Sequence, residues 1–287
     1  MQRTVGKRKK VPPSWRVAAV QMTFAGTIDG NLEKIQRAVT EAARRRADAV
    51  LFPECAVTGY RYNFTSLNAG RIREALKFIS DLAAHHRLNL LVGSPVYRGT
   101  RWQNCLVAFD RTGRVAYCYA KCQLTEMDRR FFSPGNRVAL IELDGVVATA
   151  IICHERRYPE LVRLAVMAGA QVLFHPNAGM DSLSVSKRKR GGRDGIAVRA
   201  FENAIYYVFA NSVGPQGNGK WSAGDSKIVA PDGRILRLAG NRDEAVIVAD
   251  LDLKQATRKY ALESLRHPRF LSGYWRKMIQ LLGRQGQ

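Results

Sequence analysis

The chain has 287 residues, of which 46% are hydrophobic and 24% are charged. This balance is typical of a globular protein and excludes collagen-like, disulfide-scaffold and wholly disordered classes. The five cysteines are too few and too scattered for a disulfide framework, which predicts a reducing, cytoplasmic location, and no apolar run is long enough to span a membrane.

The formal net charge of +22 is concentrated in three segments. Residues 1–16 hold six basic and no acidic residues, 187–193 hold five and none, and 254–287 hold eight against one. We interpret 187–193 as a glycine-flanked loop. No zinc finger, RNA-recognition signature or basic zipper accompanies this charge, so we expect a solvated basic edge, with nucleic-acid binding as the alternative.

The pattern of apolar residues predicts alternating strands and helices, which indicates an α/β fold with enough strands for two sheets. In chain order, the predicted strands cover 16–22, 48–52, 88–93, 104–110, 114–119, 138–143, 146–152, 171–174, 205–210 and 245–250. The predicted helices cover 32–43 (capped by Asp29 or Asn31), 71–85, a segment beginning near Tyr158-Pro159-Glu160, and 194–204, and a hairpin surrounds Pro231-Asp232-Gly233.

The chain has no internal repeat and no linker long enough to divide it. We therefore expect one catalytic domain over residues 15–270. A basic tail over 1–14, which we expect to be flexible, precedes it, and a basic C-terminal extension over 271–287 follows it.

Three reactive side chains stand at the ends of predicted strands: Glu54, Lys121 and Cys153. In open α/β sheets, ligands bind outside the carboxyl ends of the strands, so these segments can bring a carboxylate, an ammonium and a thiol to one pocket. Taken singly, each has an ordinary structural interpretation, because cysteine is among the most often buried residues and charged residues are common in turns.

A thiol attacks a carbonyl carbon only as the thiolate, so Cys153 needs a base and a positive charge nearby. Glu54 is the candidate base, and Lys121 is the candidate group for stabilising the thiolate and the oxyanion. His154 is the second choice of base, because neighbours at the end of a strand usually point in different directions.

Seven short motifs occur in a fixed order along nearly the whole chain. They are VAAVQM at 17–22, LFPE at 51–54, AKCQL at 120–124, FFSPG at 131–135, IICHERRYPE at 151–160, RAFENAIYYVFAN at 199–211 and GDSKIVAPDGRIL at 224–236. With this ordered set, the chain resembles the nitrilase, or carbon-nitrogen hydrolase, superfamily. The resemblance implies a four-layer αββα sandwich with two mixed sheets flanked by helices, a homodimer or higher homo-oligomer, and no metal or organic cofactor.

The resemblance also assigns roles to the residues that match the motifs. The family's catalytic triad falls on Glu54 as general base, Lys121 as support for the tetrahedral oxyanion and Cys153 as the nucleophile that forms a thioester. The family's second glutamate corresponds to Asp128, which is one methylene shorter, and Glu126 lies close enough in sequence to replace it.

The segment after Cys153 resembles the branch that hydrolyses N-carbamoyl amino acids, in which paired arginines hold the substrate carboxylate. Arg156 and Arg157 stand at these positions, and a guanidinium fork suits a carboxylate. An arginine at the position of Arg157 also occurs in omega-amidase-like members, where a structural pair with Glu155 or Glu160 is the alternative.

Further pocket residues are expected after another predicted strand. His175 and Asn177 follow the strand at 171–174, and we expect both to line the pocket together with His154.

Two motifs are rejected as binding sites. Residues 214–220 (GPQGNGK) have the spacing of a phosphate-binding loop, but Trp221 replaces the Ser or Thr that would bind Mg²⁺ and no helix is predicted to follow, so we interpret them as a loop and exclude ATP binding. Cys118 and Cys122 have no Cys/His pair to complete a zinc site.

The sequence therefore predicts a thiol hydrolase that cleaves the non-peptide C–N bond of an amide or N-carbamoyl group in a small molecule. Two alternatives stay open. A nitrilase would use the same three residues on a carbon–nitrogen triple bond. A catalytically weak scaffold would bind nucleic acid through the basic segments.

Overall fold

The computed structural model describes residues 12–60, 64–191, 193 and 195–284. Most of the basic tail predicted over 1–14 lies outside these residues, and the first strand begins at Ser14. In the part of the chain described here, no helix is both long and apolar enough to cross a membrane.

The first half of the chain alternates strands and helices as predicted. Its elements are β1 (Ser14–Gln21), α1 (Ile28–Arg44), β2 (Ala49–Leu51), α2 (Ala69–His86), β3 (Asn89–Arg98), β4 (Arg101–Phe109) and β5 (Val115–Ala120).

The second half contains shorter elements, several of which the sequence did not predict. They are β6 (Ile141–Leu143), β7 (Val146–Ala150), α3 (Pro159–Met167), β8 (Val172–Asn177), β9 (Asp181–Ser182), α4 (Leu183–Lys189), α5 (Val198–Phe201), β10 (Tyr206–Asn211), β11 (Val213–Gly217), β12 (Lys220–Ala223), β13 (Lys227–Val229), β14 (Ile235–Leu238), β15 (Ala245–Asp252), α6 (Lys259–Ser264) and α7 (Arg269–Arg284).

Two six-stranded sheets form the centre of the molecule. The first has the strand order β15-β1-β2-β3-β4-β5, and the second has the order β14-β13-β10-β8-β7-β6. Both sheets are mixed, because β2 runs parallel to β1 and β3, and β8 runs parallel to β7 and β10, whereas the other pairs are antiparallel. A small third sheet has the order β11-β12-β9.

Alternation along the strands produces the four layers. In β1, Val17 and Ala19 belong to the core between the two sheets, whereas Ala18 and Val20 pack with helices α1 and α2. This is the two-residue period of a strand with both faces covered. Helix α3 covers the outer face of the second sheet. The expected αββα sandwich of two mixed sheets is confirmed.

The cap of α1 differs from the prediction. Thr27 caps the helix, and its Oγ1 accepts a hydrogen bond from the Gly30 amide at 3.2 Å. Asn31 is buried inside the helix, where its side chain accepts from the Ala25 amide at 2.8 Å and donates to the Val57 carbonyl at 3.2 Å. The prediction of Asp29 or Asn31 as the cap is therefore wrong.

The basic segment predicted as a loop over 187–193 is largely helical. Lys187, Arg188 and Lys189 form the last turn of α4, where the helix dipole favours cations. Lys189 also forms an ion pair with Asp181 at 2.5 Å. The interpretation of the whole segment as a loop is wrong, because α4 extends to Lys189. The charge of the segment gave no indication of this helix.

Three further segments differ in detail from the predicted elements. The helix predicted over 194–204 is regular only in α5, and the chain then turns at Ala204 with a φ of 49°. Residues 214–220 lie in the hairpin formed by β11 and β12, and the next element along the chain is strand β13. The C-terminal extension predicted over 271–287 contains most of helix α7, whose Trp275 and Ile279 pack near α3.

Candidate active site

The ends of three strands converge at one edge of the sandwich. Glu54 follows β2, Lys121 follows β5 directly, and Cys153 follows β7. The first two strands belong to one sheet and the third to the other. Cys153 therefore approaches Glu54 and Lys121 only because the two sheets stack.

Glu54 is fully buried, and both of its carboxylate oxygens have donors. Oε1 accepts from Lys121 Nζ at 2.8 Å and from Asn104 Nδ2 at 2.7 Å, and Oε2 accepts from the Ala178 amide at 3.2 Å. Burial raises the pKa of Glu54, and the Lys121 ammonium offsets this only in part. A carboxyl group with a raised pKa is suited to take a proton from a thiol and return it later.

Lys121 is the buried cation of the site. Its Nζ lies 2.8 Å from Glu54 Oε1 and 2.8 Å from Asp128 Oδ2. Burial alone would lower the pKa of Lys121, but the charges of Glu54 and Asp128 act in the opposite direction, and the pKa is raised well above its usual value. Lys121 therefore remains an ammonium ion.

Asp128 occupies the position of the second carboxylate. It is buried, and its oxygens accept from Tyr60 Oη at 2.7 Å and from the Thr125 amide at 3.0 Å in addition to Lys121. Burial alone would raise the pKa of Asp128, but Lys121 outweighs it and lowers the pKa. Glu126 is exposed, so the geometry favours Asp128 over Glu126 as this carboxylate.

Cys153 sits on a sharp turn between strand and helix. Its φ is 50°, a left-handed conformation that is rare for residues other than glycine, and it begins a short 3₁₀ helix over Cys153–Arg157. Such strain is typical of functional positions, and here the turn directs the thiol to the cavity described below.

The surroundings of Cys153 favour the protonated thiol. Burial and the Glu54 charge raise its pKa to about 12, although Lys121 and a hydrogen bond from the Ala178 amide act in the opposite direction. Because the thiol is the weaker nucleophile, attack on a substrate has to be accompanied by transfer of its proton to a base.

A cavity of about 330 Å³ opens onto Cys153. Four cationic side chains line it, namely Arg156, Arg157, Lys189 and Lys220, together with the carboxylates of Asp181 and Asp225. The Asp181 carboxylate is paired with Lys189. The cavity therefore has an excess of positive charge.

Arg156 and Arg157 have no carboxylate within ion-pair distance among the residues that the structure describes. Glu155 is buried and bonded to other groups, and Glu160 is exposed. The alternative of a structural pair with Glu155 or Glu160 is thus not observed. Arg199 fixes the main chain here, because its Nη2 donates to the Arg156 carbonyl at 3.0 Å.

The two histidines occupy different positions. His154 lines the cavity, and burial and the Arg157 charge lower its pKa. His175 is fully buried, and its Nε2 lies 3.1 Å from the Cys153 carbonyl oxygen while Nδ1 bonds to Tyr207. The expectation that His175 lines the pocket is wrong, because its buried ring contacts the Cys153 carbonyl and does not reach the cavity surface. Asn177 does line the cavity.

Sequence reasoning missed four groups that contact the candidate catalytic side chains: Asn104, Tyr60 and the amides of Thr125 and Ala178. Asn104 is a polar residue inside a predicted apolar strand, and this interruption is a signal that could have identified it. Tyr60 had no pattern that distinguished it, and a backbone amide carries no sequence signal at all.

A thiol, a carboxylate base and a buried ammonium around a small cavity define a cysteine-dependent hydrolase. Residues 16–260 match the family model described as Carbon-nitrogen hydrolase, and the chain belongs to this family. It is a cysteine-based enzyme that hydrolyses C–N bonds other than peptide bonds.

Known relatives include amidases and nitrilases. The chain is 27% identical to a 2-oxoglutaramate amidase from Bacillus subtilis, over 84% of this chain and 92% of the relative. It is 28% identical to a nitrilase from Pyrococcus abyssi, over 78% and 84% respectively.

The fold is similar to that of an amidase from Nesterenkonia sp. AN1, with a TM-score of 0.78 and 25% identity over 92% of this chain and 98% of that one. In that structure, a glutamate-to-glutamine variant, the acetamide moiety of fluoroacetamide is covalently added at the active-site cysteine.

Proposed function

We propose that this enzyme hydrolyses the carboxamide or N-carbamoyl group of a small molecule that also carries a carboxylate. Glu54, Lys121, Asp128 and Cys153 form the catalytic group in this proposal, and Arg156 and Arg157 bind the substrate carboxylate. The observation that carries it is the pair of arginines that line the cavity beside Cys153 without a carboxylate partner in the described residues.

The charge of the cavity supports an anionic substrate. A guanidinium group binds a carboxylate through two parallel hydrogen bonds, and such charge-assisted bonds are about twice as strong as neutral ones. Arg199 holds the main chain of Arg156, which limits the reorganisation needed for binding. The 2-oxoglutaramate amidase named above acts, by its name, on an amide that bears a carboxylate.

In the first half of the reaction, the Cys153 thiol attacks the amide carbon. The thiol proton passes to Glu54, the S–C bond forms, and the carbonyl oxygen becomes an oxyanion near the Lys121 ammonium. The intermediate then collapses, the C–N bond breaks, and the leaving nitrogen takes the proton from Glu54 and departs as ammonia. A thioester on Cys153 remains.

In the second half, Glu54 accepts a proton from water while the hydroxide adds to the thioester carbon. Collapse breaks the S–C bond, and the proton on Glu54 returns to the sulfur. Asp128 and Glu54 together hold Lys121 in place through both halves, because each accepts from its Nζ.

Matched substrates test the carboxylate. Succinamate and N-carbamoyl-β-alanine would each be compared with its own methyl ester, with Cys153→Ala as the blank. We expect each free acid to have a kcat/KM about 10- to 100-fold above that of its ester, since a hydrogen-bonded charge pair contributes about 1.5–3 kcal/mol. Equal turnover of acid and ester would contradict carboxylate binding.

Nitrile hydrolysis is the second candidate, and the similarity to a nitrilase favours it. The same thiol can add to a carbon–nitrogen triple bond. Succinonitrile and 3-cyanopropionate added to the same panel separate the two activities. If only the nitriles are turned over, the function is nitrile hydrolysis and not amide hydrolysis.

We also propose that the enzyme is a homodimer that works in a reducing, cytoplasmic compartment. Val198, Phe201 and Tyr260 form an exposed apolar group beside α3, and the rings of Phe201 and Tyr260 lie 6.3 Å apart. All five cysteines are free, which suits a reducing environment. Light scattering of the purified chain and of Phe201→Glu would test this face, and a monomeric wild type would exclude it.

A further inference from the structure

Glu155 is a buried carboxylate that is not among the proposed catalytic residues. It lies two residues after Cys153, and its side chain has no exposed surface. Its position on the 3₁₀ helix directs it away from Arg157 and into the interior, where it bonds to groups from two separate segments.

Each oxygen of Glu155 holds one of these segments. Oε1 accepts from the amides of Cys122 at 2.7 Å and Gln123 at 3.0 Å, the two residues that follow Lys121. Oε2 accepts from the amide of Ile152 at 2.7 Å, the residue that precedes Cys153. The phenol of Tyr119 lies 2.9 Å from both oxygens.

These partners favour an ionised carboxylate. The three backbone amides can only donate and the Tyr119 phenol can also donate, so up to four hydrogens are available to the two oxygens. Burial raises the pKa of Glu155, and the hydrogen bonds from Ile152, Gln123 and Cys122 act in the opposite direction. A buried acceptor with this many donors is costly to replace, because each donor would lose its partner.

The two segments belong to different sheets. Lys121 follows β5 of the first sheet, and Cys153 follows β7 of the second. We propose that Glu155 is a positioning residue that sets the distance between the Lys121 ammonium and the Cys153 thiol by tying the adjoining main chains to one carboxylate. This rests on the proposed roles of Lys121 and Cys153.

The principal test compares Glu155→Gln with the wild type. An amide side chain offers one acceptor oxygen and turns two N–H donors towards the donors now bonded to Oε1 or Oε2. One segment is therefore released. We expect kcat to fall about 100-fold, the cost of a misplacement of about 1 Å in a catalytic geometry, while KM changes little because the arginines are untouched.

Asp144→Asn is the matched control. Asp144 lies before the start of β7, at the end of that strand opposite to Cys153, and it is also a carboxylate that accepts from Arg111, Trp15 and Asn89. Its replacement should lower the melting temperature without changing kcat. A loss of kcat in Asp144→Asn equal to that in Glu155→Gln would show that general destabilisation suffices, and would overturn the proposal.

Thiol labelling supplies a readout that does not depend on substrate. Cys153 and Cys118 are both partly exposed, so the ratio of their iodoacetamide labelling rates reports on the active site alone. Loosening of the whole fold would raise both rates, whereas displacement of Lys121 should lower the rate at Cys153 only. An unchanged ratio together with a wild-type kcat in Glu155→Gln would overturn the proposal.

If Glu155→Gln does not fold, Glu155→Asp tests the positioning role of Glu155 instead. The shorter carboxylate retains the charge but cannot reach both segments, so kcat should still fall and the labelling ratio should still drop. Wild-type values for both would overturn the proposal. Failure of the proposed function looks different, since the wild type would then turn over the free acids no faster than their methyl esters.

Discussion

Lys121 Nζ lies 2.8 Å from Glu54 Oε1, and neither side chain has any exposed surface. Lys121→Met would leave Glu54 and Asp128 as two buried carboxylates with no cation between them. Removal of one partner of a buried ion pair costs about 3–5 kcal/mol, so we expect a loss of unfolding free energy in this range, measured by urea titration, together with loss of turnover. A variant as stable as the wild type would show that the two carboxylates are neutral in the folded protein.

Glu54→Gln should preserve the fold and remove most of the activity. The amide is nearly isosteric, so the packing around Asn104 is retained, but it cannot accept the thiol proton. We expect turnover to fall by about 10²- to 10⁴-fold, the usual contribution of general acid–base catalysis. A near-normal turnover would exclude Glu54 as the base.

The same variant should change thiol reactivity at one cysteine only. Cys153 has a raised pKa and depends on a neighbouring base, whereas the pKa of Cys118 is lowered, chiefly by a hydrogen bond with Cys105. Near neutral pH we expect iodoacetamide to label Cys153 faster than the other cysteines in the wild type, because Glu54 accepts the thiol proton as the sulfur attacks. Glu54→Gln should slow Cys153 and leave Cys118 unchanged, as followed by peptide mass spectrometry. Uniform labelling of all five cysteines in the wild type would contradict an activated nucleophile.

The acid limb of the pH–rate profile should report Glu54. The base has to be ionised in the free enzyme, and burial raises its pKa, so kcat/KM should decline at a higher pH than for an ordinary glutamate. The hydrogen bond from Asn104 lowers this pKa. Asn104→Ala should therefore move the acid limb to higher pH, and a shift to lower pH would show that another group controls it.

Asp144 provides a prediction for stability as a function of pH. Burial alone would raise its pKa, but Arg111 outweighs this and lowers it below the ordinary value of 3.8. A group with a lowered folded-state pKa stabilises the fold above its unfolded pKa, and the contribution is lost as pH falls through the folded pKa. Asp144→Asn should thus cost about 1 kcal/mol at pH 7 and less at pH 3, measured by urea unfolding. A cost independent of pH would indicate lost packing instead of lost charge.

The three reactive side chains could be predicted from the sequence, because each is a chemically reactive residue placed at the end of a predicted strand. Glu54, Lys121 and Cys153 each follow an apolar run, and ligands in α/β sheets bind beyond the carboxyl ends of the strands. The ordered motifs then supplied the αββα fold, which periodicity alone did not specify. Asp128 was predictable only through the resemblance, since nothing in its surrounding sequence shows that it is buried.

Other features depend on tertiary contacts that leave little mark on the sequence. His175 and Asn177 lie two apart on one strand and were expected to share a role, yet only Asn177 lines the cavity. Glu155 was considered as a partner for Arg157, whereas its donors are mainly backbone amides, which every sequence contains. The sequence predicts a loop over the last turn of α4, because its lysines and arginine dominate the composition there.

The division of the active site between the two sheets has a consequence for how the enzyme matures. A chain in which only the first sheet has formed would hold Glu54, Lys121 and Asp128 but no nucleophile, and the second sheet alone would hold a thiol with no proton acceptor. The enzyme therefore becomes active only when the two sheets pack against each other. During refolding, we expect turnover to recover at this packing step and not at the earlier formation of secondary structure.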